Sequence, residues 1–306
     1  MNNTTKDPGL GSKFGGQVER LMNEDGTYNI KHKGGLRSVR DVYKFLIDLS
    51  WTKFFLFSII VYLISNVLFA CFYMVGGIED ISGINRDSNS FLNAFFFSVQ
   101  TFTTVGYGHL SPVGAIAGII STFEAFFGLM YFALLTGLLY GRFSKPSSKI
   151  AFAHNALLTD LDGQPAIMFK LVNQRKSVLL NAKIKSILSM NKVAQDGGIM
   201  KEYHRLKLDV DSIHFFPMTW TLVHRITDDS PFKGMTIPDL KKRCAEMIVL
   251  FEAFDETFSQ NIIEKRSFAG DQWLGGVKFE RNFTINDMGH VELNINEINN
   301  VVPLKG

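Results

Sequence analysis

The residues best placed to do chemistry here are a stretch of backbone, not a set of side-chain acids, bases or nucleophiles. Thr103-Thr104-Val105-Gly106-Tyr107-Gly108 follows directly on the apolar run FLNAFFFSVQTF at residues 91–102. Gly106 and Gly108 admit backbone angles that other residues resist. They allow an extended course whose carbonyls all point one way, whereas a β-strand alternates them. Such a row of oxygens can replace the hydration shell of an alkali cation at little net cost. On this reading the carbonyls of Thr104, Val105, Gly106 and Tyr107 make ion sites, and the Thr104 hydroxyl adds another at the inner end. The side chains of Val105 and Tyr107 turn away into supporting packing, Gly108 ends the run, and Thr103, Gln100 and Glu124 are its expected supports. One chain supplies only one wall of such a tube, so four copies in a closed ring are required.

Irregular backbone is tolerated at membrane depth only where it is buried or lines water, so the flanking sequence must provide a membrane scaffold. Residues 54–78 contain no charge, and residues 110–141 contain one, Glu124. At ~1.5 Å per residue each run is long enough to cross ~30 Å of hydrocarbon. The stretch 91–102 is too short to span and too apolar for water, which fits a re-entrant helix. The expected pore domain, 51–143, has an outer helix over 51–77, a pore helix over 91–102, the filter at 103–108 and an inner helix over 113–143. Arg37, Arg40, Lys44 and Lys53 precede the first span, and Arg142, Lys145 and Lys149 follow the second. The connection carries only Arg86 against Glu79, Asp80 and Asp87. The basic bias predicts both termini in the cytoplasm. The N-terminal segment, 1–36, is polar and lacks an apolar signal core, so the first span is expected to act as the insertion signal.

On the inner helix, Glu124, Gly128, Phe132, Thr136 and Tyr140 recur every four residues and are expected to share a pore-lining face. Tyr140 is the first candidate for a hydrophobic gate and Phe132 the second. Gly128 and Gly137 are candidate hinges, or close packing points, since Gly137 and Gly141 form a GxxxG pair. Glu124, the one acid in a span, is a functional candidate by default. It either faces the pore and attracts cations or lies behind the filter, bonded near Gln100. His109 at the outer mouth could sense external pH or simply be exposed. Ahead of the first span, Val39, Val42, Tyr43, Leu46, Ile47 and Leu49 form one face, with Arg40, Asp41, Lys44 and Asp48 opposite. That pattern predicts a slide helix on the membrane surface within 37–50, the alternative being a helix packed on the soluble domain.

Hydrophobic residues make up 46% of the chain, with 28 Phe, and the two spans hold most of that excess. The net charge of +3 does not suggest nucleic acid binding. The two cysteines, Cys71 and Cys244, imply no disulfide framework and read as buried thiols. After a polar linker at 144–149 the period changes to two. Runs at 166–172, 182–187, 204–210, 219–226, 247–254, 261–268 and 276–285 suggest a β-sandwich over 150–306. A short helix is expected over 237–244, begun by Thr236. No phosphate-cradling loop or paired-His metal spacing occurs, so no enzyme activity is expected. His204, His214 and His224 read as structural.

Taken together, the slide helix, Ser50-Trp51, FFFSVQTFTTVGYG, a second helix ending in GRF, and the stretches DGQPAIMFKLVNQR and SQNIIEKRSFAG resemble the bacterial inward-rectifier potassium channels, the KirBac type, over roughly residues 36–290. TVGYG is assigned to the potassium filter by this resemblance and not by spacing. The resemblance implies a homotetramer in the inner membrane, K+ ions in the filter, no organic cofactor and a cytoplasmic immunoglobulin-like sandwich extending the ion path. It implies block by Ba2+, and by Mg2+ or polyamines where acidic residues line the path. Strong rectifiers carry such acids at positions occupied here by Phe132 and Asn181, with a third retained as Glu252, so strong rectification is not expected. Arg142 and Lys145 match positions that hold anionic lipid headgroups in animal relatives, with Arg37, Arg40, Lys44 and Lys53 as further candidates. A voltage-gated or nucleotide-sensing channel would need an Arg-rich sensor span or a βαβ domain, and neither pattern is present. A membrane-anchored binding protein with a vestigial pore is the remaining alternative, and the intact filter run argues against it.

Overall fold

The computed structural model describes residues 7–11, 18, 20–31, 33–34, 39–76, 78–84, 89–144, 149–193 and 197–304, with Val39 and Arg40 described by backbone only. The chain forms two compact units, Gly34–Lys145 and Met1–Lys33 with Pro146–Gly306.

The first unit is helical. It contains α1 (Val39–Asp48), α2 (Trp51–Gly76), α3 (Ser90–Phe102) and α4 (Ala115–Phe143). α2 and α4 are long and apolar enough to cross a membrane. The two-residue strands β1 (Ile81–Ser82) and β2 (Ser111–Pro112) pair antiparallel and close the α2–α3 and α3–α4 connections on each other. The core of this unit is aromatic: Phe69 and Tyr73 of α2 meet Phe97 and Phe102 of α3, with Ala117 of α4. Most other apolar side chains of α2 and α4 are exposed, including Ile64, Phe123 and Leu134. Cys71 is on that exposed face and Cys244 is half-exposed, so neither thiol is buried as expected.

The second unit is a β-sandwich. One sheet joins β6 (Leu179–Val193), β7 (Ile199–Leu206), β8 (Ser212–Phe216), β10 (Glu246–Asp255) and β11 (Gln260–Ala269); the other joins β3 (Ile150–Phe152), β4 (Ala156–Leu161), β5 (Gln164–Asn173), β9 (Thr219–Arg225) and β12 (Trp273–Gly275). The strand period of two turns Phe169, Leu171 and Leu222 of one sheet toward Ile184, Leu188, Val249 and Phe251 of the other, in one core. α5 (Ile237–Lys242) opens with a Thr236–Asp239 capping box. Two expected strands are shorter than their alternation. The 204–210 run leaves the sheet after Leu206, and the 276–285 run is split into β13 (Val277–Phe279) and β14 (Phe283–Ile285). At the break sits Lys170, which is buried on β5 and donates from Nζ to Glu280 O at 2.7 Å and Asn282 Oδ1 at 3.3 Å. Burial pushes the Lys170 ammonium below its ordinary pKa. β14 pairs with β15 (Val291–Leu293), and β13 with β16 (Val301–Pro303).

Candidate functional site

The chain leaving α3 is tied back to the last turn of that helix. Thr104 N donates to Thr101 O at 3.0 Å, and Val105 N and Gly106 N both donate to Gln100 O, at 3.0 and 3.4 Å. In a trans peptide the N–H and C=O point in opposite directions. Holding these three N–H groups against α3 therefore aims the carbonyls of Thr103, Thr104 and Val105 away from it, on one side. The backbone angles agree: Thr104, Gly106 and Gly108 have φ of 58°, 53° and 83°. Left-handed angles at alternate residues undo the reversal a strand would impose. Glycine accepts them freely, whereas for β-branched Thr104 the angle is a strain of order 1–3 kcal/mol. Sequence reasoning had placed the special angles at the glycines alone.

The supports divide unevenly. Thr103 caps α3 through its Oγ1, which donates to Val99 O at 2.7 Å. Gln100 supports the run with its backbone carbonyl, while its side-chain Oε1 is buried and meets no hydrogen-bond partner among the described residues of the chain. The aligned peptide dipoles of α3 put its negative C-terminal end beside the oxygen row, favourable to a cation. Val105 and Tyr107 are exposed in the single chain, 54% and 78%. The packing expected to support them is not supplied by their own chain. His109 is exposed as well.

Glu124 is fully buried. It accepts from Tyr73 OH at 2.6 Å and is hydrogen-bonded to Ser98 Oγ. Its partner on α3 is Ser98 and not the expected Gln100. The five residues expected on one face of α4 do not share it. At 3.6 residues per turn each four-residue step drifts about 40°, so the row winds round the helix. Glu124 and Gly128 face the protein, Phe132 is at the margin with its ring 6.4 Å from that of Phe102, and Thr136 and Tyr140 are exposed. A Cβ on Gly128 would meet Phe102 O at 2.0 Å, so this glycine is a close-packing point. Among the described residues of the single chain, Gly137 has nothing within 4 Å of such a Cβ, while Gly141 packs on Tyr43 and Ile47 of α1, so the two glycines do not share a contact within the chain.

Arg142 was expected at a lipid headgroup, but its guanidinium is occupied. Nη1 donates to Leu46 O and Ile47 O at 2.8 and 2.9 Å, and Nη2 donates to Leu49 O at 2.7 Å. The group also lies 4.5 Å from the ring centres of Trp51 and Phe54. The orphan carbonyls ending α1 attract the guanidinium in the last turn of α4. Lys44 and Lys53 are exposed. Arg37, Lys145 and the side chain of Arg40 lie outside the described residues. On α1, Leu46 and Ile47 are half-buried, while Val42 and Phe45 are exposed, 56% and 61%.

In the β-sandwich, Asn181 sits with φ 50° in a bulge of β6, between Leu180, which pairs with Phe254 of β10, and Lys183, which pairs with Glu252. Glu252 is 3.1 Å from Lys185 Nζ, so its charge is paired on the surface. His204, His214 and His224 fall on β7, β8 and β9. Buried His224 is held between Lys207 O at 2.7 Å and Ser230 Oγ at 2.8 Å. Sequence reasoning missed Glu246, which is fully buried and accepts from the backbone N–H groups of Leu21 and Met22 at 2.6 and 2.9 Å and from Ser267 Oγ at 2.7 Å. An acid at the first position of an apolar strand was its only signal.

Comparison with known proteins places both units. The profile of the inward rectifier potassium channel C-terminal domain matches residues 150–305, and an ion channel profile matches residues 55–145. The inward rectifier potassium channel Kirbac3.1 of Paramagnetospirillum magnetotacticum is 32% identical over 293 residues, which cover 95% of this chain and 98% of that one. G protein-activated inward rectifier potassium channel 2 of Rattus norvegicus is 24% identical over 306 residues, covering 92% of this chain and 71% of that one; the Homo sapiens protein of the same name gives the same identity and coverage. A solved alkylpurine DNA glycosylase from Pseudomonas fluorescens overlays with a TM-score of 0.19 at 9% identity, covering 60% of this chain and 45% of that one, and carries no argument.

Proposed function

This chain belongs to the inward rectifier potassium channel family and is an inward rectifier potassium channel subunit, and from that premise we propose that four copies conduct K+ through a ring of backbone oxygens at Thr104–Tyr107. The observation that carries the reading is the run of three alternate left-handed residues, Thr104, Gly106 and Gly108, with the N–H groups of 104–106 tied to α3. A single such wall cannot surround an ion. The exposure of Val105 and Tyr107 in one chain supports a ring in which neighbouring copies cover them.

Below the filter, Tyr140 is the proposed main constriction and Phe132 a second, both apolar rings able to close a pore by dewetting. Gly137 is the proposed bending point, while Gly128 packs against Phe102 O. α1 is the proposed slide helix, with exposed Val42 and Phe45 toward lipid. Clamped to the end of α4 by Arg142, it would carry movements at the membrane surface to the gate. Anionic headgroups are assigned to Lys44 and Lys53, with Arg37, Arg40 and Lys145 as further candidates. Both termini are proposed to be cytoplasmic, on the basic residues flanking the spans. Phe132, Asn181 and a Glu252 already paired with Lys185 leave little uncompensated negative charge for Mg2+ or polyamines, so rectification is proposed to be weak. Ba2+, close to K+ in size and doubly charged, is the proposed filter blocker.

The reading is tested by reconstituting the protein in liposomes and measuring radioactive Rb+ uptake. Uptake that Ba2+ stops and that Na+ does not compete away supports it; equal Na+ and Rb+ permeation rules it out.

A further inference from the structure

Three helices of the membrane unit meet in a buried polar cluster. Asn66 and Tyr73 come from α2, Ser98 from α3 and Glu124 from α4, and all four are 0% exposed. Tyr73 OH donates to Glu124 Oε2 at 2.6 Å. Ser98 Oγ is hydrogen-bonded to Glu124 Oε1 and lies 3.1 Å from both Asn66 O and Asn66 Oδ1. Asn66 Nδ2 donates to Tyr62 O at 2.8 Å, which fixes Oδ1 as the amide atom facing Ser98.

Proton counting separates two states of this cluster. A hydroxyl has one proton to donate. If Glu124 is ionised, the Ser98 proton must choose between Glu124 Oε1 and Asn66. Giving it to Glu124 leaves buried Asn66 Oδ1 without a donor among the described residues. Giving it to Asn66 leaves Ser98 Oγ and Glu124 Oε1 at hydrogen-bond distance with no proton between them. Among the described residues no basic side chain pairs with the carboxylate, so an isolated charge would sit fully buried. One added proton satisfies every group. Glu124 Oε1–H donates to Ser98 Oγ, Ser98 donates to Asn66, and Tyr73 donates to Glu124 Oε2.

We propose that Glu124 carries its carboxyl proton and is a positioning residue for the filter, joining α4 to α3 and α2 through a neutral hydrogen-bond chain. Ser98 lies one turn or less before Gln100, whose carbonyl holds Val105 N and Gly106 N. A helix held at Ser98 is thereby held where it sets the oxygen row. The inference rests on the reading of residues 104–107 as the filter.

The test uses the full channel in liposomes at neutral pH. The infrared difference spectrum between wild type and Glu124→Gln should show the C=O stretch of a protonated carboxylic acid, shifted in deuterated water and missing from the variant. Gln keeps the pattern, its carbonyl accepting from Tyr73 and its amide donating to Ser98. Leu leaves both hydroxyls without that partner. Glu124→Gln should therefore hold Rb+-over-Na+ selectivity at least about ten-fold better than Glu124→Leu. Absence of the acid band, or a Gln variant no better than the Leu variant, overturns the proposal. If the Leu variant does not assemble, the band alone decides. The band is read without any flux, so a wild type that fails to select Rb+ would refute the filter reading and leave the protonation result standing.

Discussion

Gly128 and Gly137 lie on the same helix in opposite surroundings. A methyl at Gly128 would sit 2.0 Å from Phe102 O, backbone that cannot yield, so Gly128→Ala must push α4 off α3. Overpacking of this kind costs about 1–3 kcal/mol, and the detergent-solubilised channel should melt at lower temperature. Gly137→Ala meets nothing within 4 Å and should stabilise the helix by about 1 kcal/mol. If Gly137 is the bend, the same variant opens less often in single-channel records. His224 makes a separate case. Burial holds its pKa below the ordinary 6.5, and its neutral ring is matched to Lys207 O and Ser230 Oγ. The folded state therefore binds fewer protons than the unfolded state as pH falls below about 6.5, and stability drops over that window down to the folded pKa. Thermal melting of the channel between pH 7.5 and 5.5 checks this: His224→Asn should flatten the slope, and an unchanged slope would mean that another group sets it.

At the scale of elements, two tethers stand out because nothing in the local sequence announces them. The Glu246 carboxylate on β10 takes the N–H groups of Leu21 and Met22, with Arg20 Nη2 on Ser267 O at 2.8 Å, and so anchors the segment before α1 to the sandwich. Hydrogen bonds to a charged acceptor contribute about 1.5–3 kcal/mol each. Glu246→Ala should speed hydrogen exchange at Leu21 and Met22 by more than about ten-fold while leaving β5 protected. Arg142 makes the second tether, and Arg142→Lys cannot reproduce three carbonyl contacts and a stack on Trp51. Faster exchange along α1 is expected in that variant. Both tethers join residues far apart in the chain, so spacing rules do not reach them. What spacing does reach is clear: two apolar runs longer than any soluble core needs, a re-entrant run too short to span, and strands of period two. It fails where periodicity is only approximate. The four-residue row on α4 drifts off its face, and a run that alternates well on paper is split at residues bonded to Lys170. The oxygen row was legible because motif and chemistry coincide there. The strain at Thr104 and the Glu124–Ser98 pairing were not, because they arise from the packing of three helices.

For the whole molecule, the account joins a backbone cation site to a pore with little fixed negative charge below it. Outward K+ current should therefore fall only modestly when Mg2+ or polyamines are added on the cytoplasmic side. Phe132→Asp should restore strong, voltage-dependent block by placing acids around the pore axis in each of the copies. Block that is already strong in the wild type would locate the missing charge elsewhere. The central claim is that the backbone oxygens of Thr104–Tyr107, from several chains together, hold the permeating ion. Anomalous diffraction from crystals of the assembled channel grown in Rb+ tests it most directly. The account predicts a column of Rb+ peaks on the symmetry axis, level with those carbonyls and lost when Na+ replaces Rb+; an axis closed by the side chains of Val105 or Tyr107, with no cation peak beside the backbone oxygens, would contradict it.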